Sequence, residues 1–299
     1  QYSAEGGLAN DWHLVHLGAR AIGGAGLVMT EAAAVSPEGR ISPQDVGIWD
    51  DEQVAPLGRI AAFLSAQGSV PAIQLAHAGR KASTRRPWDG GGPATPENGG
   101  WSPVLAPSAI PFDGGWQVPK ELDGSGMAGI VDAFAAATRR AAAAGFLVAE
   151  IHAAHGYLLH QFLSPISNAR KDGHGGSLAN RMRFPLRVVE AVRSAWPPEL
   201  PLFIRISATD WVDGGFAPEE AVVFSREART LGVDLVDCSS GGMHPGARVP
   251  VAPGYQVPFA AKVRKEAGIP TAAVGLITAP RQADAIIESG EADLVLLGR

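Results

Sequence analysis

Short apolar runs alternate with longer amphipathic ones along almost the whole chain, and few folds satisfy that pattern. The short runs are Gly26–Thr30, Val70–Leu75, Phe146–Ile151, Pro201–Ser207, Val233–Ser239, Thr271–Gly275 and Asp293–Leu297. Each is apolar on both alternations and bounded by Gly, Pro or Asp, as strands of a parallel sheet covered on both faces are. Helical runs separate them: Asp11–Ala25, Asp51–Gln67, Met127–Ala144, Leu178–Trp196, Pro218–Leu231, Phe259–Ala267 and Pro280–Ser289. Ser177 stands where an N-cap belongs, and Pro218 opens a helix at the position where its missing N–H costs nothing. Gly68, Gly145, Gly232, Gly268 and Gly290 follow helix ends as C-terminal stops.

Seven strands, each but the last followed by a helix, require a doubly wound sheet or a (β/α)8 barrel. No Gly-x-Gly-x-x-Gly turn follows a strand, which weakens the Rossmann option. The prediction is an α/β chain, a (β/α)8 TIM barrel forming one domain over residues 1–299. A first strand is expected before Gln1 and a final helix after Arg299. Residues 80–123 are rich in Gly, Pro and Trp without periodicity. They read either as a functional excursion over the barrel mouth or as a plain surface loop.

Composition narrows the partners. With 46% hydrophobic residues the chain has ample core, and a formal net charge of -5 argues against nucleic acid or an anionic membrane. No apolar run of about 18 residues suggests a membrane span. No signal peptide is visible. The lone Cys238 excludes an intrachain disulfide and fits a reducing cytoplasm.

Parallel α/β folds assemble their sites at the carboxyl ends of strands. Those ends carry Glu31-Ala32, then Gln74 through Lys81, then His152, His155 and Tyr157. Along a strand, positions i and i+3 face opposite sides, so His152 and His155 converge only if the chain turns, and Gly156 permits a turn. Arg205 stands in an apolar strand and needs an anionic partner. Cys238-Ser239-Ser240-Gly241-Gly242 lets a ligand approach closely, while Val274-Gly275 and Gly298-Arg299 suit a phosphate. The lack of a carboxylate cluster argues against a glycosidase or a magnesium enolase-type site. No Gly-x-Ser-x-Gly elbow marks a hydrolase. A His-x-x-His pair also serves in metal sites, but no third carboxylate or thiol ligand is at hand, so no metal is expected. His13 and His16 read as packing or surface residues, and Cys238 as an apolar-like strand residue. Glu31 reads as an acid or a buried structural carboxylate, and His77 as a core or a contact histidine. A phosphate-bearing cofactor with a polar, electron-accepting ring is the natural tenant.

The run Gln74-Leu75-Ala76-His77-Ala78-Gly79-Arg80-Lys81 resembles a signature of the Old Yellow Enzyme family of FMN-dependent oxidoreductases. So do His152 to Tyr157, Leu163 to Asp172 and Gly175 to Arg181; Asp237 to Gly241 and Gly254 to Val257 resemble its bacterial, thermophilic-like subclass. The resemblance covers essentially the whole chain. It implies a barrel with FMN at its mouth and NADPH or NADH as hydride donor. Gln74 would bond the pyrimidine edge, Arg205 would sit beside N1 and O2, and Ala32 would meet the ring through its backbone. Gly275, Gly298 and Arg299 would hold the phosphate. His152 and His155 would grip the carbonyl oxygen of an enone, flavin N5 would deliver hydride, and Tyr157 would protonate the α-carbon. Tyr2 and Lys81 would line the substrate pocket. Lys81 beside Arg80 and His77 fits that role better than a Schiff base. The family motif Ser-Pro-Met-Cys would lie just before residue 1, and Cys238, on another strand, is not its substitute. A further helix, with an arginine reaching into a neighbouring subunit of a homo-oligomer, would lie beyond Arg299. His174 stands where the family often has Tyr. Two alternatives stay open: the barrel of an iron–sulfur dienoyl-CoA or amine dehydrogenase relative, and a non-catalytic flavin-binding fragment.

Overall fold

The computed structural model describes residues 1–298. Helix α1 (Asp11–Ile22) starts at Asn10, whose side chain accepts from the Trp12 N–H while His13 accepts from the Asn10 N–H. Strand β1 (Leu27–Ala34), helix α2 (Val54–Ala66) and strand β2 (Val70–Ala76) follow. The long 80–123 segment holds two dipeptide strands, β3 (Leu105–Ala106) and β4 (Lys120–Glu121), which pair in parallel. Elements this short carry no periodicity to read. Helix α3 (Gly124–Ala143) is capped by Asp123, which accepts from the Gly126 N–H at 2.7 Å. Strand β5 (Val148–Ala153) leads to the short helix α4 (Leu158–Leu163). Then come α5 (Leu178–Ala195), capped by Ser177 as expected, β6 (Leu202–Ser207), α6 (Pro218–Thr230) and β7 (Leu235–Ser239). The described chain closes with α7 (Val257–Ala267), β8 (Thr271–Ala273), α8 (Pro280–Glu288) and β9 (Leu294–Val295).

The seven predicted strands form one parallel sheet in the order β1-β2-β5-β6-β7-β8-β9. Its two faces bury different sets of side chains, because successive residues of a strand point to opposite sides. The outer set, with Ile73, Leu75, Ile151, Ile204, Ile206, Val236 and Cys238, packs under Phe134, Phe162, Phe184 and Phe224 of the helices. Each such fully buried side chain contributes about 1.5–3 kcal/mol. The inner set, Ala72, Val148, Phe203, Leu235 and Ala272, clusters separately with Leu27, Met29 and Leu296. An inner core drawn from six of these strands and from Leu296, just past β9, is the curled sheet of a (β/α)8 barrel. Among the described residues no helix is long and apolar enough to cross a membrane.

Two local departures shape the mouth. β1 runs on to Ala34, past the predicted end at Thr30, through an irregularity between Met29 and Ala32. α4 escaped the sequence pattern because all six of its residues are buried, which leaves no polar face to mark a helical period.

Candidate active site

As β5 ends, the chain turns through two left-handed residues, His155 at φ +57° and Gly156 at φ +73°. The first costs a non-glycine residue about 1–2 kcal/mol. The second admits only glycine, since a Cβ there would lie 2.1 Å from the Gly242 carbonyl oxygen. The turn therefore packs backbone against backbone on the loop after β7. It brings the His152 ring edge-on to both His155, 5.1 Å away, and Tyr157, 5.0 Å away. This is the convergence that the strand alternation forbids and the turn restores.

Three anchors fix the turn. The His155 N–H donates to Ser207 Oγ at 2.9 Å, and the Ser207 hydroxyl donates onward to the Gly241 carbonyl. The Gly156 N–H donates to His160 Nδ1 at 2.9 Å. The Lys81 ammonium donates to the carbonyls of His155, at 2.8 Å, and Gly242, at 3.0 Å. Lys81 thus lies beside Tyr157, but it turns its charge onto backbone and clasps the two loops together. Burial, followed by the nearby Arg80, lowers its pKa to about 8.

A hydrogen bond assigns the His152 proton. His152 Nδ1 accepts from the Ala154 N–H at 3.2 Å, so Nε2 carries the proton. His155 Nε2 lies 2.7 Å from Ser239 Oγ. Ser239 Oγ donates to Gln256 Oε1 at 3.3 Å, an oxygen that also accepts from Ser240 Oγ at 2.6 Å, so Gln256 ties the Ser239 hydroxyl to the loop beneath His155. Burial drives both imidazoles well below the usual histidine pKa, and Arg205 adds to it. Two neutral rings therefore each present one N–H. Burial also raises the Tyr157 phenol, with Tyr2 and Asp45 contributing, so its hydroxyl stays protonated.

Beneath these rings the inward positions turn polar: Gln74, Glu150, Arg205 and Asp237 stand one step above the inner apolar layer. Gln74 Nε2 donates to Glu150 Oε1 at 2.6 Å, and Arg205 Nε lies 3.0 Å from Asp237 Oδ2, off the line of a good hydrogen bond. Arg205 keeps 22% of its side chain exposed against 1% for Asp237, so the guanidinium faces the mouth and the carboxylate lies behind it. The irregularity in β1 sets Ala32, not Glu31, beside Gln74. Glu31 turns instead toward His13 Nε2, 3.1 Å away, as a structural carboxylate.

The other candidates distribute plainly. Tyr2 packs edge-on to Trp88 at 5.6 Å and is near enough to Tyr157 to raise its pKa. Gly275, at φ +123°, ends β8, and Gly298 lies three residues beyond β9, at the same end of the sheet. Arg299 lies outside the described residues. His77 is a core histidine, against which a Gly39 side chain would clash at 2.8 Å. Cys238 faces the helices, and burial raises its thiol. Sequence reasoning gave no role of their own to Glu150, Asp237 and Gln256, read Ser239 only as part of a small-residue strand end, and missed the buried His160–Asp210 pair. An acidic residue inside a strand buried on both faces was the available signal for Glu150 and Asp237. Two open grooves of about 350 and 520 Å³ lie on α3 and its neighbours and hold no histidine, tyrosine or glutamine.

A ring with acceptors on one edge and an imide fits this floor. Among the described residues the terminal donors of Arg205 make no hydrogen bond, and Gln74 Oε1 accepts none. The chain matches the NADH:flavin oxidoreductase / NADH oxidase family over residues 1–299. It is 47% identical to an NADPH dehydrogenase of Geobacillus thermodenitrificans (strain NG80-2), over 98% of this chain and 81% of that protein. It is 45% identical to an NADPH dehydrogenase of Geobacillus sp. (strain WCH70), over 99% and 81%. Morphinone reductase superposes with a TM-score of 0.83 at 27% identity, over 100% of this chain and 79% of that one. The chain belongs to the NADH:flavin oxidoreductase / NADH oxidase family, as an FMN-binding oxidoreductase that uses NAD(P)H.

Proposed function

We propose that this oxidoreductase reduces the C=C bond of small α,β-unsaturated carbonyl compounds. The observation that carries the reading is the pair of neutral imidazoles set edge-on to each other beside a protonated phenol. His152, through its Nε2–H, and His155 beside it would donate to the carbonyl oxygen and draw electron density from the double bond. FMN, when bound and charged by NAD(P)H, supplies the hydride for the β-carbon. Tyr157 gives its proton to the α-carbon, and the phenol is restored from water. Hydride plus proton add across the double bond, so atoms and charge balance. Neutral histidines suit the task, because an N–H that binds oxygen without a fixed positive charge favours the state in which charge develops.

Gln74 and Arg205 would hold the pyrimidine edge of FMN, Ala32 would meet it through its backbone, and Gly275 and Gly298 would stand near its phosphate. Tyr2 would close the substrate side. The identity to NADPH dehydrogenases, each spanned over 81% of its length, supports this over an iron–sulfur relative. The double variant His152→Ala, His155→Ala tests the reading. It should lose affinity for phenolic ligands while the protein stays yellow. Unchanged ligand affinity would remove the histidines from the oxygen grip. A colourless protein that FMN cannot reconstitute would refute the cofactor placement itself.

A further inference from the structure

Two carboxyls and one guanidinium share the polar layer of the barrel, and their charges do not cancel. Asp237 Oδ2 lies 3.0 Å from Arg205 Nε. Glu150 is 0% exposed and is held by Gln74 at 2.6 Å. Glu150 Oε2 and both Asp237 oxygens accept no well-formed hydrogen bond among the described residues. With all three groups ionised, this layer would bury a net negative charge above an apolar one, which a protein interior resists. One carboxyl therefore holds a proton. Burial, then the charge of Asp237, raises the Glu150 pKa to about 8. Burial raises Asp237 to about 6 against the pull of Arg205. Near pH 7, Glu150 is the neutral acid and Asp237 the carboxylate that balances Arg205, and the two titrate as a pair.

The neighbours leave little else to take up charge. β2 contributes Gln74 and β1 contributes Ala32, neither of them titratable. β8 offers Ala272 beside Asp237. His152, one step up β5, is held neutral, and Lys81 lies across the His155 turn on backbone carbonyls. Arg205 alone faces the mouth. Negative charge arriving over Arg205 competes with Asp237 for the same guanidinium, and a proton on Asp237 resolves the competition.

We propose that Asp237, backed by the neutral Glu150, is a proton acceptor that balances charge when the bound FMN is reduced. The inference rests on the placement of the FMN ring over Arg205. A hydride from NAD(P)H carries two electrons and one proton and leaves one added negative charge beside Arg205. Asp237 takes one further proton from water, so two protons enter the protein and cofactor for each two electrons. Below about pH 6 Asp237 is already protonated before reduction, and the uptake falls to one.

The test is reduction-induced difference infrared spectroscopy on the FMN-loaded protein, with proton uptake measured by an indicator dye in weak buffer. Reduction at neutral pH should add a carboxylic acid C=O band that shifts in D2O, and Asp237→Asn should lack it. Carbon-13 labelling of aspartate in the unmodified protein should move the band, which keeps the test intact if the variant fails to bind FMN. With NAD(P)H as reductant, whose hydride brings its own proton, dye measurements should count one proton taken from solvent per two electrons at neutral pH and none below about pH 6. No gained band, or a band that persists in Asp237→Asn or ignores aspartate labelling, overturns the proposal. Failure to bind FMN at all would instead overturn the cofactor placement, and the absorbance spectrum shows that first.

Discussion

Asp210→Asn should damage the active-site turn without touching any residue that faces the mouth. Asp210 is 0% exposed and faces three donors. Ser164 Oγ donates to its Oδ2 at 2.6 Å, the Phe216 N–H donates to the same oxygen at 2.7 Å, and His160 Nε2 lies 2.9 Å from Oδ1, an electrostatic contact off the line of a good hydrogen bond. His160 Nδ1 in turn accepts from the Gly156 N–H, so the His160 proton sits on Nε2, toward Asp210. An asparagine has one acceptor oxygen and an NH2 group. If its oxygen faces Ser164 and Phe216, its NH2 meets His160 Nε2–H, donor against donor. Moving the His160 proton to Nδ1 relieves that clash only by opposing the Gly156 N–H. Turning the amide over places NH2 against the Phe216 N–H. Every arrangement strands one buried donor, which costs about 1–3 kcal/mol, besides the lost charge assistance. The expected result is a loss of about 2–3 kcal/mol in urea unfolding. A Gly156 turn released by a comparable amount should also weaken phenolic ligands about tenfold, while the flavin stays bound. A variant within about 0.5 kcal/mol of the parent, with unchanged ligand affinity, would refute the claim that His160 and Asp210 fix the turn.

Three further outcomes are expected. Gly156→Ala places a methyl 2.1 Å from the Gly242 oxygen at φ +73° and should cost at least about 3 kcal/mol in urea unfolding; full stability would show that the turn has another shape. Ser239→Ala removes the hydroxyl that holds His155 Nε2 and should weaken phenolic ligands about five- to tenfold at constant FMN content, and an unchanged Kd counts against Ser239 as a positioning residue for that ring. Glu150 has its folded pKa raised to about 8 against an unfolded value of about 4.3, so between those values the folded state binds the extra proton and parent stability falls as pH rises. Glu150→Gln should flatten that fall in denaturation curves taken across the window; parallel curves would place the proton elsewhere.

The legible and illegible parts of the molecule separate by sequence distance. The strands were readable because each is apolar on both faces, and His152, His155 and Tyr157 because they fall within six positions at a strand end. Their supports were not. Ser207 reaches the His155 N–H across 52 positions, Ser239 its ring across 84, and Asp210 meets Ser164 across 46. No local pattern encodes such pairs, since only the curl of the sheet brings their strands side by side. Lys81 was placed at the mouth by its sequence neighbours, but the direction of its ammonium depends on two loops from other strands. A single irregularity in β1 sets Ala32 rather than Glu31 beside Gln74, a displacement of one residue that composition does not record.

The polar layer inside the barrel is hard to explain by stability. Immediately below it, Ala72, Val148, Phe203, Leu235 and Ala272 show that the same strands pack an apolar interior without difficulty. Extending that packing upward, with apolar residues at Gln74, Glu150, Arg205 and Asp237, would leave no orphaned carboxyl oxygen and no guanidinium facing inward. Buried ion pairs replaced in this way are often neutral or stabilising by a few kcal/mol. A fold that keeps two buried carboxyls behind a single arginine, one of them forced to hold a proton, therefore retains a strained charge set at the floor of its mouth. The strain has a direction: it is relieved when acceptor atoms reach the arginine from above and a proton reaches the carboxyls below. The same groups that lower the stability of the empty barrel thus make it selective for a ligand whose charge changes in place.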